Sequence, residues 1–195
     1  MTKIAIITGG SRGIGAATCR LAAAAGYDVC LNYTTDREAA DRVVAKCQAP
    51  GVRAIAVQAD IGDPQQVDAL FTACDRALGR VTLLVNNAGT VGQTGPLVDL
   101  EDAALQATFA LNVYGAICCA QQAIRRMAKS TGGDGSVIIN VSSPAARLGS
   151  AGEYVHYAAS KGAVDSLTIG HASLWCASEE ANFATGAILD ISGGL

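Results

Sequence analysis

The sequence predicts an α/β domain built on one doubly wound parallel sheet, with helices on both faces. Three observations predict it. Short, almost wholly apolar runs alternate with longer stretches of helical periodicity in the order β-α-β-α-β-α-β, and strands apolar along their whole length need cover on both sides. The opening stretch, Ile-Ala-Ile-Ile-Thr-Gly-Gly-Ser-Arg-Gly-Ile-Gly from Ile4 to Gly15, reads as a strand, a tight turn and a helix start. A length of 195 residues, half of them hydrophobic, suits one domain spanning residues 1–195 with a sizeable core.

The elements follow in order. Residues 4–7 form the first strand and the alanine-rich run 16–25 the first helix. Between them Gly9, Gly13 and Gly15 can take backbone angles closed to other residues, and their missing Cβ atoms let a ligand approach the main chain. The first-turn amides of such a helix, aided by its dipole, face an anion, and a pyrophosphate fits there. The plain alternative is a strand-to-helix connection with no ligand. Residues 28–33 read as the second strand, 36–48 as a helix closed by Pro50-Gly51, and 52–58 as the third strand. The helix 64–78 begins on a proline suited to a first turn. Residues 81–85 make the fourth strand. A long helix over about 101–130 carries Leu105, Phe109, Val113, Ala116, Ala120, Ile124 and Met127 at steps of three and four. A fifth strand at 136–141, a helix at 154–169 and a last strand at 187–191 complete the pattern.

Composition narrows the partners. A net charge of −3 with 16% charged residues offers no basic face for nucleic acid. No run of eighteen apolar residues points to a membrane, and the start of the sequence enters a strand at Ile4 instead of a signal core, so a cytoplasmic location is expected. The seven cysteines, 19, 30, 47, 74, 118, 119 and 176, are odd in number and lack a C-x-x-C. They read as small buried hydrophobes. With His156 and His171 the only histidines, no metal site is expected.

Three further constellations stand where strands of such a sheet end, the place where open α/β sheets bind ligands. Asn86-Asn87-Ala88-Gly89 follows the fourth strand, Asn140-Val141-Ser142-Ser143 ends the fifth, and Tyr157-Ala158-Ala159-Ser160-Lys161 lies on the next helix. Tyr157 and Lys161 are four apart and project from one helix face. An ammonium beside a phenol favours the phenolate and brings tyrosine, ordinarily near pKa 10, toward general acid/base work; read alone, the pair is a helix-surface contact. Tyr154 has Ala158 four residues on and lacks that partner.

Together with Thr8-Gly9-x-x-x-Gly13-x-Gly15, these motifs resemble the short-chain dehydrogenase/reductase family, from the first strand to about Gly170 and again from Leu174 onward. The closest likeness is to its 3-oxoacyl-carrier-protein reductase and sugar-alcohol dehydrogenase branch. The resemblance implies a Rossmann-like fold and transfer of a hydride between a nicotinamide cofactor and a secondary alcohol or ketone. It implies that Ser143, with Ser142 as the fallback, hydrogen-bonds the substrate oxygen, that Tyr157 gives it a proton, and that Lys161 also holds the nicotinamide ribose. Asn112 matches an asparagine that holds a water connecting the lysine to solvent. Without the family it is a buried amide in need of a partner. The cofactor set is Gly9, Ser11, Arg12, Gly13, Ile14 and Gly15 of the turn, Asn32 or Tyr33 at the end of the second strand, Asp60 and Ile61 beside adenine, and Asn87, Ala88 and Gly89. Asp60 alternatively caps the turn before Pro64. NAD-preferring relatives carry an acid where Asn32 or Tyr33 stands; neither repels a 2′-phosphate and Arg12 can pair with one, so NADP(H) is expected over NAD(H), which stays possible. Relatives form tetramers through helices matching 101–130 and 154–169, so a homo-oligomer is expected, a tetramer or a dimer. His156, one residue from Tyr157, is expected to point to solvent or a subunit contact. Arg147, Tyr154, Gln93 and Thr94 fall near the expected substrate mouth.

One departure stands out. Family members have about 250 residues, and after Gly170 they have the rest of a helix, a sixth strand, a Pro-Gly turn and a substrate lid, where this sequence has only His171-Ala172-Ser173. Loss of a central strand leaves unpaired backbone, so interruptions of the chain are expected near 170/171 and 173/174. A catalytically silent NADP(H) sensor or scaffold, or a truncated inactive chain, are the alternative readings.

Overall fold

The structure, a computed structural model, describes residues 3–133 and 137–176. The described residues form two compact units, the first within 3–89 and 114–141, the second within 90–113 and 142–176.

The first unit holds a five-stranded parallel sheet in the order β3-β2-β1-β4-β5, with β1 Ile4–Ile7, β2 Asp28–Tyr33, β3 Ala54–Gln58, β4 Leu83–Asn86 and β5 Val137–Asn140. The order reverses beside β1, which pairs β2 from Ile4 opposite Asp28 and β4 from Ala5 opposite Leu83. Every residue of β1 and β2 is buried, which is why β1 reads as an unbroken apolar run and β2 as an apolar run with Asp28 and Asn32 near its ends. The connections are α1 Gly13–Ala24, α2 Arg37–Gln48, α3 Pro64–Ala77 and α5 Ala116–Met127. Asp36 caps α2 by accepting from Ala39 N–H, and Asp63 caps α3 by accepting from Gln65 N–H with Pro64 in the first turn. Phe71, Ile6, Ile7, Leu31 and Leu84 fill the core with no more than 2% exposure. The six described cysteines are buried and free. Burial pushes the Cys19 and Cys119 thiols up to about 12, so they pack as hydrophobes.

The second unit contains the 3₁₀ turn Leu97–Asp99, α4 Asp102–Phe109, α6 Ala145–Leu148 and α7 Val155–Cys176. Both α4 and α6 pack on α7.

The structure departs from the sequence reading in several places. The long helix expected over 101–130 is broken by a π-helical segment, Ala110–Gly115, between α4 and α5. Beyond it Ala116, Ala120 and Met127 are buried as expected, whereas Ile124 is 39% exposed and Ala123 beside it is buried. The run Asp102–Met127 has the length and mean hydropathy of a bilayer-crossing helix; its α5 part packs instead on α3 and β4. The glycine turn enters α1 three residues earlier than the alanine run suggests, and α6 was not foreseen. Apart from these departures, the α7 backbone is helical as far as Cys176. The strand expected at 187–191 lies outside the described residues.

Phe71 is fully buried with the Arg126 guanidinium 5.2 Å from its ring centre. Phe71→Ala is expected to cost about 3–5 kcal/mol, while Leu21→Ala, at a 71% exposed position, leaves the urea midpoint nearly unchanged. Equal midpoints for the two variants in urea titrations would overturn this view of the core.

Candidate active site

In the first unit the strand β1 delivers the glycine turn, and three polar side chains hold it. Thr8, fully buried, donates to Val85 O and accepts from the amides of Asn87 and Ala88, both at 3.0 Å. Asn87 Nδ2 donates to Thr8 O and Gly9 O. Asn32, 2% exposed, accepts from Gly9 N–H at 3.2 Å and donates to Ala59 O at 2.8 Å. Its amide is thus spent beneath the turn, and Tyr33 beside it is 5% exposed. The side chain expected at the ribose end works inside the protein.

Gly9 and Gly13 take φ +63° and +52°, in the left-handed region that favours glycine. Gly15 is needed for a different reason from the expected one. A Cβ there would run into the Gly9 carbonyl oxygen and lie 2.6 Å from Asn87 Nδ2. Gly10, not singled out by sequence, is excluded from bearing a side chain by Leu31 Cβ at 2.6 Å. Outward of Gly13 a Cβ would meet nothing within 4 Å. The first intrahelical bond of α1 is Ala16 N–H to Arg12 O, and exposed Arg12 adds no side-chain cap. The amides of this first turn are the groups an anion takes up. Ser11 is half-buried and Ile14 67% exposed. Asp60 Oδ1 accepts from Gly62 N–H, the turn role named as its alternative, and Ile61 beside it is buried. Ala88 is half-buried and Gly89 exposed.

The second unit gathers Asn112, Ser142, Ser143, Tyr157 and Lys161. Lys161 is 5% exposed, and its Nζ lies 5.9 Å from the centre of the Tyr157 ring. Burial pulls its ammonium below the ordinary lysine value, opposed by the nearby Asp165 carboxylate. Tyr157 is half-buried and meets Tyr154 edge to face, with ring centres 5.8 Å apart. The two serines separate in role. Ser142 donates to the Lys161 carbonyl at 3.3 Å, whereas Ser143 accepts from Ala145 N–H at 3.2 Å, a bond that does not use its own hydrogen.

Asn112 sits in the π segment, 2% exposed. Its Oδ1 accepts from Thr90 N–H at 2.8 Å, and its Nδ2 donates to Thr90 O and Ser160 Oγ, both at 2.9 Å. Ser160 passes its own hydrogen to Tyr157 O at 2.7 Å. Both amide hydrogens are therefore used within the protein, and a water at Asn112 would need its main-chain carbonyl or the remaining Oδ1 lone pair. Thr8 and Ser160 stand in the quoted motifs without an assigned role, and Thr90, next to Gly89, escaped sequence reasoning. His156 corrects an expectation outright: it is 6% exposed, and its Nε2 lies 2.9 Å from Val91 O, so it faces the interior. Gln93 bridges Asp99 O and Glu101 N–H. Thr94 and Tyr154 line one open groove with Gly95, Gly152 and Glu153, while Arg147 is exposed.

Comparison with known proteins agrees with this arrangement. The chain is 47% identical over 167 residues to YgfF, an uncharacterized oxidoreductase of Escherichia coli (strain K12), covering 86% of this chain and 68% of that protein. It is 40% identical over 167 residues to a 3-oxoacyl-acyl-carrier-protein reductase of Synechocystis sp., covering 85% of this chain and 65% of the relative. The chain thus spans about two thirds of the length of these relatives. A crystal structure of a short chain dehydrogenase from Burkholderia cenocepacia J2315 in complex with NADP superposes with a TM-score of 0.83 at 40% identity, over 89% of this chain and 69% of that one. The family model described as short chain dehydrogenase matches residues 3–178. With the glycine turn in one unit and the Tyr157–Lys161 pair in the other, this match over nine-tenths of its length establishes that the chain belongs to the short chain dehydrogenase family, whose members are nicotinamide-dependent oxidoreductases.

Proposed function

We propose that this chain is an NADP(H)-dependent oxidoreductase acting on a secondary alcohol or its ketone, of 3-oxoacyl or sugar-alcohol type. The observation that carries this reading is the buried Lys161 ammonium beside the Tyr157 ring. A structural role alone gives no reason to bury a lysine next to a phenol, because desolvating the charge is costly.

The turn fits a dinucleotide. Its first-turn amides carry no side-chain cap, open space lies outward of Gly13, and α1 has no acid in its first turn. Gly9, Ser11, Gly13, Ile14 and Gly15 would hold the pyrophosphate, Asp60, Ile61 and Asn87 to Gly89 the adenosine side, and Tyr157 and Lys161 the nicotinamide ribose. Arg12 would pair with a 2′-phosphate, which no acid at Asn32 or Tyr33 repels. When bound, the nicotinamide supplies or accepts the hydride. The protein's part is proton handling and placement. In reduction Tyr157 gives its phenolic proton to the developing alkoxide, and the Lys161 ammonium stabilises the phenolate left behind. Ser143 donates its unused hydrogen to the same oxygen. Asn112 fixes Thr90 and, through Ser160, the helix turn bearing Tyr157.

A silent sensor needs the turn and no proton donor, so retention of Asn112, Ser143, Tyr157 and Lys161 favours the enzyme. Association into a homo-oligomer in the cytoplasm, and interruptions of the chain near 170/171 and 173/174 relative to family length, belong to the same proposal.

Oxidation of NADPH against a panel of ketones tests it. Tyr157→Phe is expected to lower kcat by about 10²–10⁴; turnover unaffected by the change would remove Tyr157 as the acid. Arg12→Ala is expected to reduce kcat/KM for NADPH by about tenfold or more and to leave NADH within about threefold. A wild-type preference for NADH would refute the cofactor assignment. Lys161 gives a pH signature. Its folded-state value lies below the ordinary 10.5, so its contribution to stability is full above that pH and is lost as pH falls through the lowered value. Lys161→Met is therefore expected to abolish turnover without lowering Tm at pH 7, with any gain in Tm shrinking as pH rises toward 10.5. A large fall in Tm at pH 7 would contradict this.

A further inference from the structure

The segment after β4 that belongs to the second unit, residues 90–95, is fastened to helical residues at Thr90 and Val91 and to the turn before α7 at Gly95. Thr90 gives both main-chain groups to Asn112. Gly92 N–H donates to Thr90 Oγ1 at 3.1 Å, and Gly95 N–H to Glu153 O at 2.6 Å. Between these, Val91 O lies 2.9 Å from His156 Nε2. A carbonyl only accepts, so Nε2 carries the hydrogen. Gly92 passes directly over this imidazole with φ +73°, and a Cβ there would meet His156 Nε2 at 3.3 Å and Thr108 Oγ1 at 2.5 Å. His156 is buried to 6% exposure, where an apolar side chain would pack without the cost of desolvating two ring nitrogens. Its position is next to Tyr157 on α7, about 100° round the helix. One helix turn thus presents a phenol in one direction and a hydrogen-bond donor in another.

We propose that His156 is a positioning residue. Its bond to Val91 holds the 90–94 segment, with Gln93 and Thr94, at a fixed distance from the α7 turn that carries Tyr157, and so shapes the wall against which the substrate lies. The substrate part of this inference rests on the function proposed above; the fastening of the segment does not. The imidazole reaches neither substrate nor cofactor and moves no proton. Asn112 holds the segment at Thr90, and His156 keeps the next peptide from turning away.

The test compares His156→Leu, which removes the donor, with His156→Gln, which can offer an N–H at similar reach. Steady-state kinetics with a ketone found to be turned over are expected to show KM for the ketone raised about tenfold in the leucine variant, with kcat and KM for NADPH within about threefold of wild type. The glutamine variant is expected to recover most of the loss. Amide hydrogen exchange is the second readout: the leucine variant speeds exchange in residues 91–95 and leaves 8–16 as in wild type, and glutamine restores protection. Leucine and glutamine variants that behave alike, or wild-type exchange at 91–95 in the leucine variant, would overturn the proposal. Should leucine fail to fold, His156→Phe, which keeps the ring volume, takes its place. Absence of turnover by the wild-type chain would defeat the enzyme reading alone, and the exchange comparison would still decide the role of His156.

Discussion

Every peptide group that leaves a strand inside a folded chain must find a partner, because a buried unpaired N–H or C=O costs about as much as a lost hydrogen bond. Here side chains supply those partners where the parallel ladder stops. In the first unit Thr8, Asn32 and Asn87 pair the backbone of Thr8, Gly9, Ala59, Asn87 and Ala88. In the second unit Asn112 pairs both groups of Thr90, and His156 pairs Val91. An amide suits this work because it donates and accepts in one plane, as a peptide does. The loops so fixed are those carrying the residues with chemical roles, which ties precision at the candidate site to the satisfaction of buried backbone.

The same economy explains the glycines. Asn87 reaches Gly9 O only because Gly15 has no Cβ to occupy that space. The turn is close-packed toward the protein and open outward of Gly13. Crowding on one side and space on the other give the uncapped first-turn amides a fixed direction, which a merely flexible loop would not.

Much of this was legible in the sequence, for physical reasons that differ by element. β1 and β2 were plain because central parallel strands are largely apolar, and α2 and α3 because Asp36, Asp63 and Pro64 mark their starts. The spacing of Tyr157 and Lys161 carried their shared face. The π segment Ala110–Gly115 was hidden, since its apolar residues fit an α pattern about as well and Ala116, Ala120 and Met127 beyond it keep the expected inward register. His156 was misread because a neighbour at 100° was taken to face away from the protein, when that direction holds Val91 and Gly92. The strand-end position of Asn32 or Tyr33 points to the ribose end of a cofactor. No spacing rule shows that the Asn32 amide is consumed by Gly9 and Ala59.

Lys161 shows where stability and chemistry oppose each other. Burial disfavours its charge, and the Asp165 carboxylate one helix turn later only partly offsets this. Its backbone place is fixed by a contact independent of that charge, the Ser142 hydroxyl on its carbonyl. The helix that carries both residues sets this cation beside the Tyr157 ring, with Nζ 5.9 Å from the ring centre. Burial that costs the folded chain stability also keeps solvent from screening the ammonium, so its field acts on the Tyr157 phenol at greater strength than an exposed lysine's would.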